Sequence, residues 1–323
     1  MKHFSFFRVI AVVALLAVAH LGVNAASRLH GDVNGDGYVN ISDATALISM
    51  LLLPDAEQQP DADFNGDGAV NISDAIMLIN FILNEPVSPP NTETITVNGV
   101  SFTMVEVEGG SFLMGAIPEE FYYAMRNESP AHNVTLSGYF IGQTEVTWEL
   151  WCTVMDLDPS LYNMDPQCPV VKVSLFDCAR FVDKLSELTG KVFRMPTEAE
   201  WEYAARGGCS GVRYRYVGGN DIDEVAWYSE NSDNMAHPVA GKMPNSLGIY
   251  DMSGNVGEWC QDWYGGYPYD AQVNPVGPES GVYNVVRGGA WNISHEYCHV
   301  TYRTSFAPED KYEFLGFRIV MNK

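Results

Sequence analysis

Two acidic loops of the same spacing constrain this chain more tightly than any other feature. The stretch Asp32-Val33-Asn34-Gly35-Asp36-Gly37-Tyr38-Val39-Asn40-Ile41-Ser42-Asp43 recurs as Asp63-Phe64-Asn65-Gly66-Asp67-Gly68-Ala69-Val70-Asn71-Ile72-Ser73-Asp74. In the first copy, side-chain oxygens come from Asp32, Asn34, Asp36, Asn40 and Asp43, with the Tyr38 carbonyl between them. In the second they come from Asp63, Asn65, Asp67, Asn71 and Asp74, with the Ala69 carbonyl. Gly37 and Gly68 stand where the chain must turn sharply. Hard oxygen ligands at this spacing wrap one chain around one Ca²⁺. The final ligand is Asp in both copies, so the usual bidentate Glu arm is one methylene shorter.

An amphipathic helix is expected after each loop. Over residues 43–53, Ala46, Leu47, Met50 and Leu51 fall at helical spacing; over residues 74–83, Ile76, Leu78, Ile79 and Ile82 do. No helix fits ahead of either loop. A duplicated loop-then-helix unit resembles a type I dockerin, over residues 26–84. The resemblance implies a small all-α module with two Ca²⁺ that docks onto a cohesin-like partner. It places recognition on Ile41, Ser42, Ile72 and Ser73, and the near-identity of the copies suits two-fold-related docking. A module of roughly 55 residues has a thin core, so bound metal must supply much of its folding energy.

Ahead of the loops, Lys2, His3 and Arg8 precede an unbroken apolar run at residues 9–19, and Val23-Asn24-Ala25 follows. This is the pattern of a secretory signal peptide over residues 1–25, with the run too short to span a bilayer. A secreted, extracellular or periplasmic protein is expected, with no membrane span. The whole chain carries 18 Lys and Arg against 41 Asp and Glu, a formal charge of −23. That excess argues against nucleic acid as a partner and is compatible with bound divalent cations. Export permits disulfides among the six cysteines, but spacing does not choose a pairing.

Residues 85–98, with Pro86, Pro89 and Pro90, read as an extended linker. A second domain over 99–323 is signalled by alternating strands near residues 94–97, 101–107 and 109–115, then by helices over 147–155 and 174–189. On the second helix Phe176, Ala179, Val182, Leu185 and Leu188 are expected on the buried face. Thr197-Glu198-Ala199-Glu200 has the form of a capping box, which explains its carboxylates as a helix start rather than a catalytic pair. His132 has no second His at ligand spacing and reads as structural. Beyond Gly208 the chain is loop-rich and aromatic.

Three blocks in this half carry a second resemblance. They are Arg194-Met195-Pro196-Thr197-Glu198-Ala199-Glu200-Trp201, Asp251-Met252-Ser253-Gly254-Asn255-Val256-Gly257-Glu258-Trp259, and Arg287-Gly288-Gly289-Ala290-Trp291 running to Cys298, followed by Leu315-Gly316-Phe317-Arg318. Together with Gly109-Gly110-Ser111-Phe112-Leu113-Met114-Gly115, they are similar to the formylglycine-generating-enzyme, or sulfatase-modifying-factor, family. The resemblance implies an α+β, loop-rich, C-type-lectin-like domain. It also implies one Ca²⁺ held by the side chains of Asp251 and Glu258 and the carbonyls of Gly254 and Val256.

The family's oxidases hold Cu(I) between two cysteines, as soft thiolates select that ion. The second of these falls on Cys298, but the first falls on Ile293, which has no donor atom. Ala290 and Gly257 replace a family serine and tryptophan. Cys298 is retained as a candidate catalytic thiol, but copper is not expected. The chain thus reads as a secreted, dockerin-bearing protein of a polysaccharide-related complex. Its large domain is expected to bind carbohydrate or protein without copper oxidase activity. The alternative is a divergent oxidoreductase acting on a peptidyl cysteine.

Overall fold

The computed structural model describes residues 33, 41–52, 62–63, 70–72, 74–75, 78–79, 91–120, 122–161, 164–208 and 213–323. The signal peptide and the loop residues Asp32, Asn34, Asp36, Tyr38, Asn40, Asn65, Asp67, Ala69 and Ser73 lie outside them. The chain divides into two compact units, residues 1–89 and 90–323.

In the first unit, helix α1 (Ile41–Leu52) begins two residues ahead of its expected start. Ala44 and Leu47 are buried with Val33, Ala62, Ala75 and Leu78, and Met50, Leu51 and Ile79 pack against them. Ala46 is partly buried with them, so the expected positions of the first segment pack inward, joined by Ala44; in the second, Leu78 and Ile79 do, while Ile76 and Ile82 lie outside the described residues. Asp43 and Asp74, each closing its loop, are fully buried. Asp74 Oδ2 accepts the Asn71 N–H at 2.8 Å. Ile41 and Ile72 point outward, 60% and 62% exposed.

In the second unit the positions assigned to the linker's end form a strand. β1 (Thr92–Val97) pairs antiparallel with β2 (Val100–Val107). Thr-Glu-Thr-Ile-Thr-Val alternates along a pleat, and Ile95 and Val97 bury on one face. β3 (Gly110–Met114), β4 (His132–Leu136), β5 (Tyr139–Gly142) and the short β6 (Phe193–Arg194) follow. Next come β7 (Gly257–Trp263), β8 (Gln272–Val273), β9 (Asn284–Arg287), β10 (Arg303–Phe306), β11 (Leu315–Gly316) and β12 (Val320–Asn322). They assemble in three sheets ordered β1-β2-β5-β12-β6, β10-β9-β7-β11 and β3-β4-β8.

Helix α2 (Trp148–Met155) is capped by Thr147, whose hydroxyl accepts the Leu150 N–H. Helix α3 (Leu175–Thr189) opens on a Ser174/Asp177 capping box and ends at Gly190 with φ 70°. Its buried stripe is Cys178, Phe181, Val182 and Leu185, whereas Phe176 and Leu188 face solvent. The four buried residues follow the i, i+3, i+4, i+7 spacing; Phe176 lies off that stripe, and Leu188, three residues after Leu185, sits at its edge in the last turn. Helix α4 (Glu198–Ala205) has the predicted Thr197/Glu200 capping box, and all its residues are buried. Among the described residues no helix is long and apolar enough to cross a membrane.

Candidate functional site

The twin glycines at the end of β9 are required by the segment that returns to them. Gly288 and Gly289 have φ of 94° and 82°. A Cβ on Gly289 would stand 2.6 Å from the Tyr297 carbonyl and 2.8 Å from Cys298 Sγ. The backbone thus closes directly on the Cys298 thiol. Around it, Tyr216, Val225, Ala226 and Tyr228 form a buried apolar cluster, with Ile222 and Ile293 packed against it. Cys298 itself is fully buried; Sγ lies 3.8 Å from the Ser294 carbonyl, and the backbone N–H groups of Ala290 and Gly254 point at it. Burial pushes its thiol up to about 12, the opposite of what an activated thiolate needs.

The histidines nearby are engaged elsewhere. His299 contacts the Glu128 carboxylate at 2.9 Å through Nε2 and the Glu296 carbonyl at 2.7 Å through Nδ1. His295 is half-exposed, 3.6 Å from Glu230. Cys260 belongs to the core around Trp201 and Tyr203. The five described cysteines, Cys152, Cys168, Cys178, Cys260 and Cys298, are free and buried.

The Asp251 block folds as a tight turn. Asp251 and Asn255 have positive φ, and a Cβ on Gly254 would strike the Trp227 carbonyl at 2.1 Å. Asp251 Oδ2 accepts the Ala240 N–H at 2.7 Å. Its Oδ1, and Oε2 of Glu145, are buried without a donor N–H or hydroxyl. The two carboxyls lie close enough to share a hydrogen bond when one holds a proton. Burial raises both, Asp251 to about 6, and the Asp251 charge adds to the rise on Glu145. A cation fits this pair, which otherwise leaves two carboxylates short of positive charge.

Glu258 differs from its expected part. Arg318 grips both its oxygens at 2.5 and 2.6 Å, and the Trp201 indole donates to Oε2 at 2.7 Å. Its charge is already met by arginine, so Glu145, which the sequence did not single out, supplies the uncompensated partner for Asp251. Among the described residues no three His, Cys, Asp or Glu side chains converge on one metal position. A cation here would lean on carbonyls such as those of Gly254 and Val256.

The carboxylates of α4 are all structural partners of arginine. Glu198 takes Arg303 at 2.7 and 2.6 Å, and Glu200 takes Arg194 at 2.6 Å with both oxygens. Glu202 pairs with Arg287 at 2.6 Å and with Arg206 at 2.9 Å. Burial pushes Glu202 upward, but Arg206 and Arg287 outweigh it and hold the carboxyl at about 2. His132, as expected, is a packed residue: Nδ1 lies 3.3 Å from the Pro130 carbonyl and the ring lies against Tyr267.

Known proteins agree with this architecture. The model of the sulfatase-modifying factor enzyme 1-like domain matches residues 92–323, and that of the dockerin type I domain matches residues 30–92. The chain is 31% identical over 274 residues to the chaperone protein LppX of Paenibacillus barcinonensis, covering 69% of this chain and 91% of that protein. It is 38% identical over 170 residues to the formylglycine-generating enzyme of Streptomyces coelicolor, covering 47% of this chain and 52% of the enzyme. It thus spans about half the length of that enzyme. The solved structure of Treponema denticola variable protein 1 superposes with a TM-score of 0.66 at 32% identity, covering 72% of this chain and all of that one. The α+β, C-type-lectin-like expectation for the large domain holds. The chain belongs to the sulfatase-modifying factor enzyme 1-like family, with a type I dockerin domain ahead of that fold.

Proposed function

We propose that this is an exported docking protein. Its dockerin unit, loaded with two Ca²⁺, attaches to a cohesin-like partner through Ile41, Ser42, Ile72 and Ser73, and its large domain binds a ligand without copper oxidase chemistry. The observation carrying the second half is the apolar enclosure of Cys298, with Ile293 where a second thiolate is needed. A thiol held near 12 has no second thiolate beside it among the described residues to complete a two-coordinate Cu(I) site. The outward Ile41 and Ile72 support the first half, since exposed isoleucines at matched loop positions offer apolar anchors to a partner. Calcium in the large domain, at Asp251, Glu145 and the neighbouring carbonyls, would hold the turn that precedes β7.

A Cu(I) titration of the reduced protein with a Cys-x-Pro-x-Arg peptide tests the large domain. Neither stoichiometric copper uptake nor peptide oxidation is expected, and either result overturns the reading. A pull-down against secreted proteins tests the dockerin, with capture expected only when Ca²⁺ is present. The alternative, a divergent oxidoreductase acting on a peptidyl cysteine, draws on the identity to the Streptomyces coelicolor enzyme. It predicts oxidation of the same peptide.

A further inference from the structure

A second polar centre lies in a cavity of about 390 Å³ in the large domain. Met114 and His132, opposite each other across the β3–β4 pair, form one wall, and the start of α4 forms another. The segment from Trp263 to Pro278 closes over them, and its Tyr267, Pro268, Pro275 and Val276 give the mixed lining its apolar part. The size suits a small ligand or one long side chain.

The cavity's charges do not balance. Glu198 is matched by Arg303, whose remaining N–H groups go to the carbonyls of Asn127 and Gly265. Tyr267 donates to Glu198 at 3.0 Å. Asp262, only 4% exposed, has no basic partner among the described residues. Its Oδ2 accepts the Glu198 N–H at 2.9 Å, and its own backbone N–H also acts on the carboxyl; no side-chain donor among the described residues bonds it. His132, also 4% exposed, uses Nδ1 on Pro130 and leaves Nε2 without a partner. Two nine-tenths-buried side chains, one an acid without a cationic partner among the described residues, therefore line one cavity of mixed polarity.

From this juxtaposition we infer that the cavity takes a primary ammonium group on an alkyl chain, with Asp262 Oδ1 as its counter-charge. The Pro268, Pro275 and Val276 walls cover the methylenes, and His132 Nε2 accepts a second N–H of the ammonium. A lysine side chain of a partner protein and a free diamine share this chemistry. The inference deepens the binding-module reading and rests on it. The charges acting on Asp262 are Glu198 and Glu200 of α4; Cys260 of β7 feels its charge, and Arg303, His132 and Tyr267 line the same cavity. Burial, then the Glu198 charge, raises Asp262 to about 8. An ammonium must displace that proton, so binding tightens as pH rises towards 8 and releases a proton below it.

Calorimetry on the full Ca²⁺-loaded chain, without copper, tests this with four probes: cadaverine, a peptide carrying one lysine, 1-pentanol and hexanoate. Both amines are expected to bind and neither pentanol nor hexanoate to compete. Heats at pH 6.5 should vary with buffer ionisation enthalpy, the sign of proton release. Tighter binding of the peptide assigns the site to a partner's lysine; tighter binding of cadaverine assigns it to a free amine. Asp262→Asn should weaken both amines at least tenfold and remove the proton release. Val276→Trp, which fills the mouth without touching Asp262, should do so even if Asp262→Asn proves unstable. Equal binding of pentanol, binding of hexanoate alone, or full amine affinity in Val276→Trp overturns the inference. Because no copper is present, peptide oxidation in the separate copper assay would sink the non-oxidase reading and leave this titration intact.

Discussion

Arg318 and Glu258 meet in a fully buried fork, Nε to Oε2 at 2.5 Å and Nη2 to Oε1 at 2.6 Å. The arginine also donates to the carbonyls of Gly142 and Tyr250. It thereby ties the last sheet positions to β5 and to the turn that holds Asp251. Removing one partner leaves an uncompensated buried charge. Arg318→Met should cost about 3–5 kcal/mol in urea unfolding. Arg318→Met with Glu258→Gln should cost less than the two single changes added together, and strict additivity would contradict the pairing.

Calcium dependence should separate by unit. Chelation of the full chain is expected to remove helical circular dichroism belonging to α1 and its repeat. Asp43→Ala and Asp74→Ala should each lower the bound calcium by one, as measured by equilibrium dialysis. Retention of full stoichiometry in the double variant would falsify the loop assignment. Asp251→Ala should lower a third, weaker uptake and reduce the thermal midpoint of the large domain alone.

Much of this was legible in sequence because it depends on local spacing. The capping box at Thr197 and the helix stop at Gly190 are fixed by near neighbours. The three family blocks were legible for the same reason. Glu145 and Asp262 were not, because what distinguishes them is a missing partner. Glu145 faces Asp251 from a distant segment, and Asp262 lacks the arginine that serves each α4 carboxylate. No periodicity records which acid in such a set goes unmatched. Leu188 shows the same limit on a helix, where an apolar residue at the margin of a stripe can face either way.

The thiols offer a chemical check on the enclosure of Cys298. All five described cysteines are buried, and burial also pushes Cys168 up to about 11. Native protein should therefore react with a disulfide reagent far more slowly than unfolded protein. Cys298→Ser should cost about 1–3 kcal/mol, since the shorter, more polar hydroxyl is desolvated among Tyr216, Val225 and Ile293 and sits farther from the backbone groups the sulfur reaches. Cys298→Ala should be tolerated better. Fast native labelling that Cys298→Ala abolishes would instead mark an accessible, reactive thiol.

Two buried acids make the acid limb of stability a sum of opposite contributions. Glu202 has its folded value lowered from 4.5 to about 2 by Arg206 and Arg287 against its burial. Its stabilisation is complete above 4.5 and is lost as pH falls towards 2. Asp262 has its folded value raised from 3.8 to about 8. The folded state holds that proton more tightly, so its stabilisation is complete below 3.8 and is lost as pH rises to 8. Glu202→Gln should thus destabilise the protein at pH 7 by about 3–5 kcal/mol and flatten the decline between pH 4.5 and 2. Asp262→Asn should leave that acid decline in place and remove the gain in stability on acidifying from pH 8 towards 4. Urea unfolding across pH 2–9 measures both. If Asp262→Asn left the neutral slope unchanged, Asp262 would be ionised in the folded protein and its burial would have to be balanced by a cation not among the described residues.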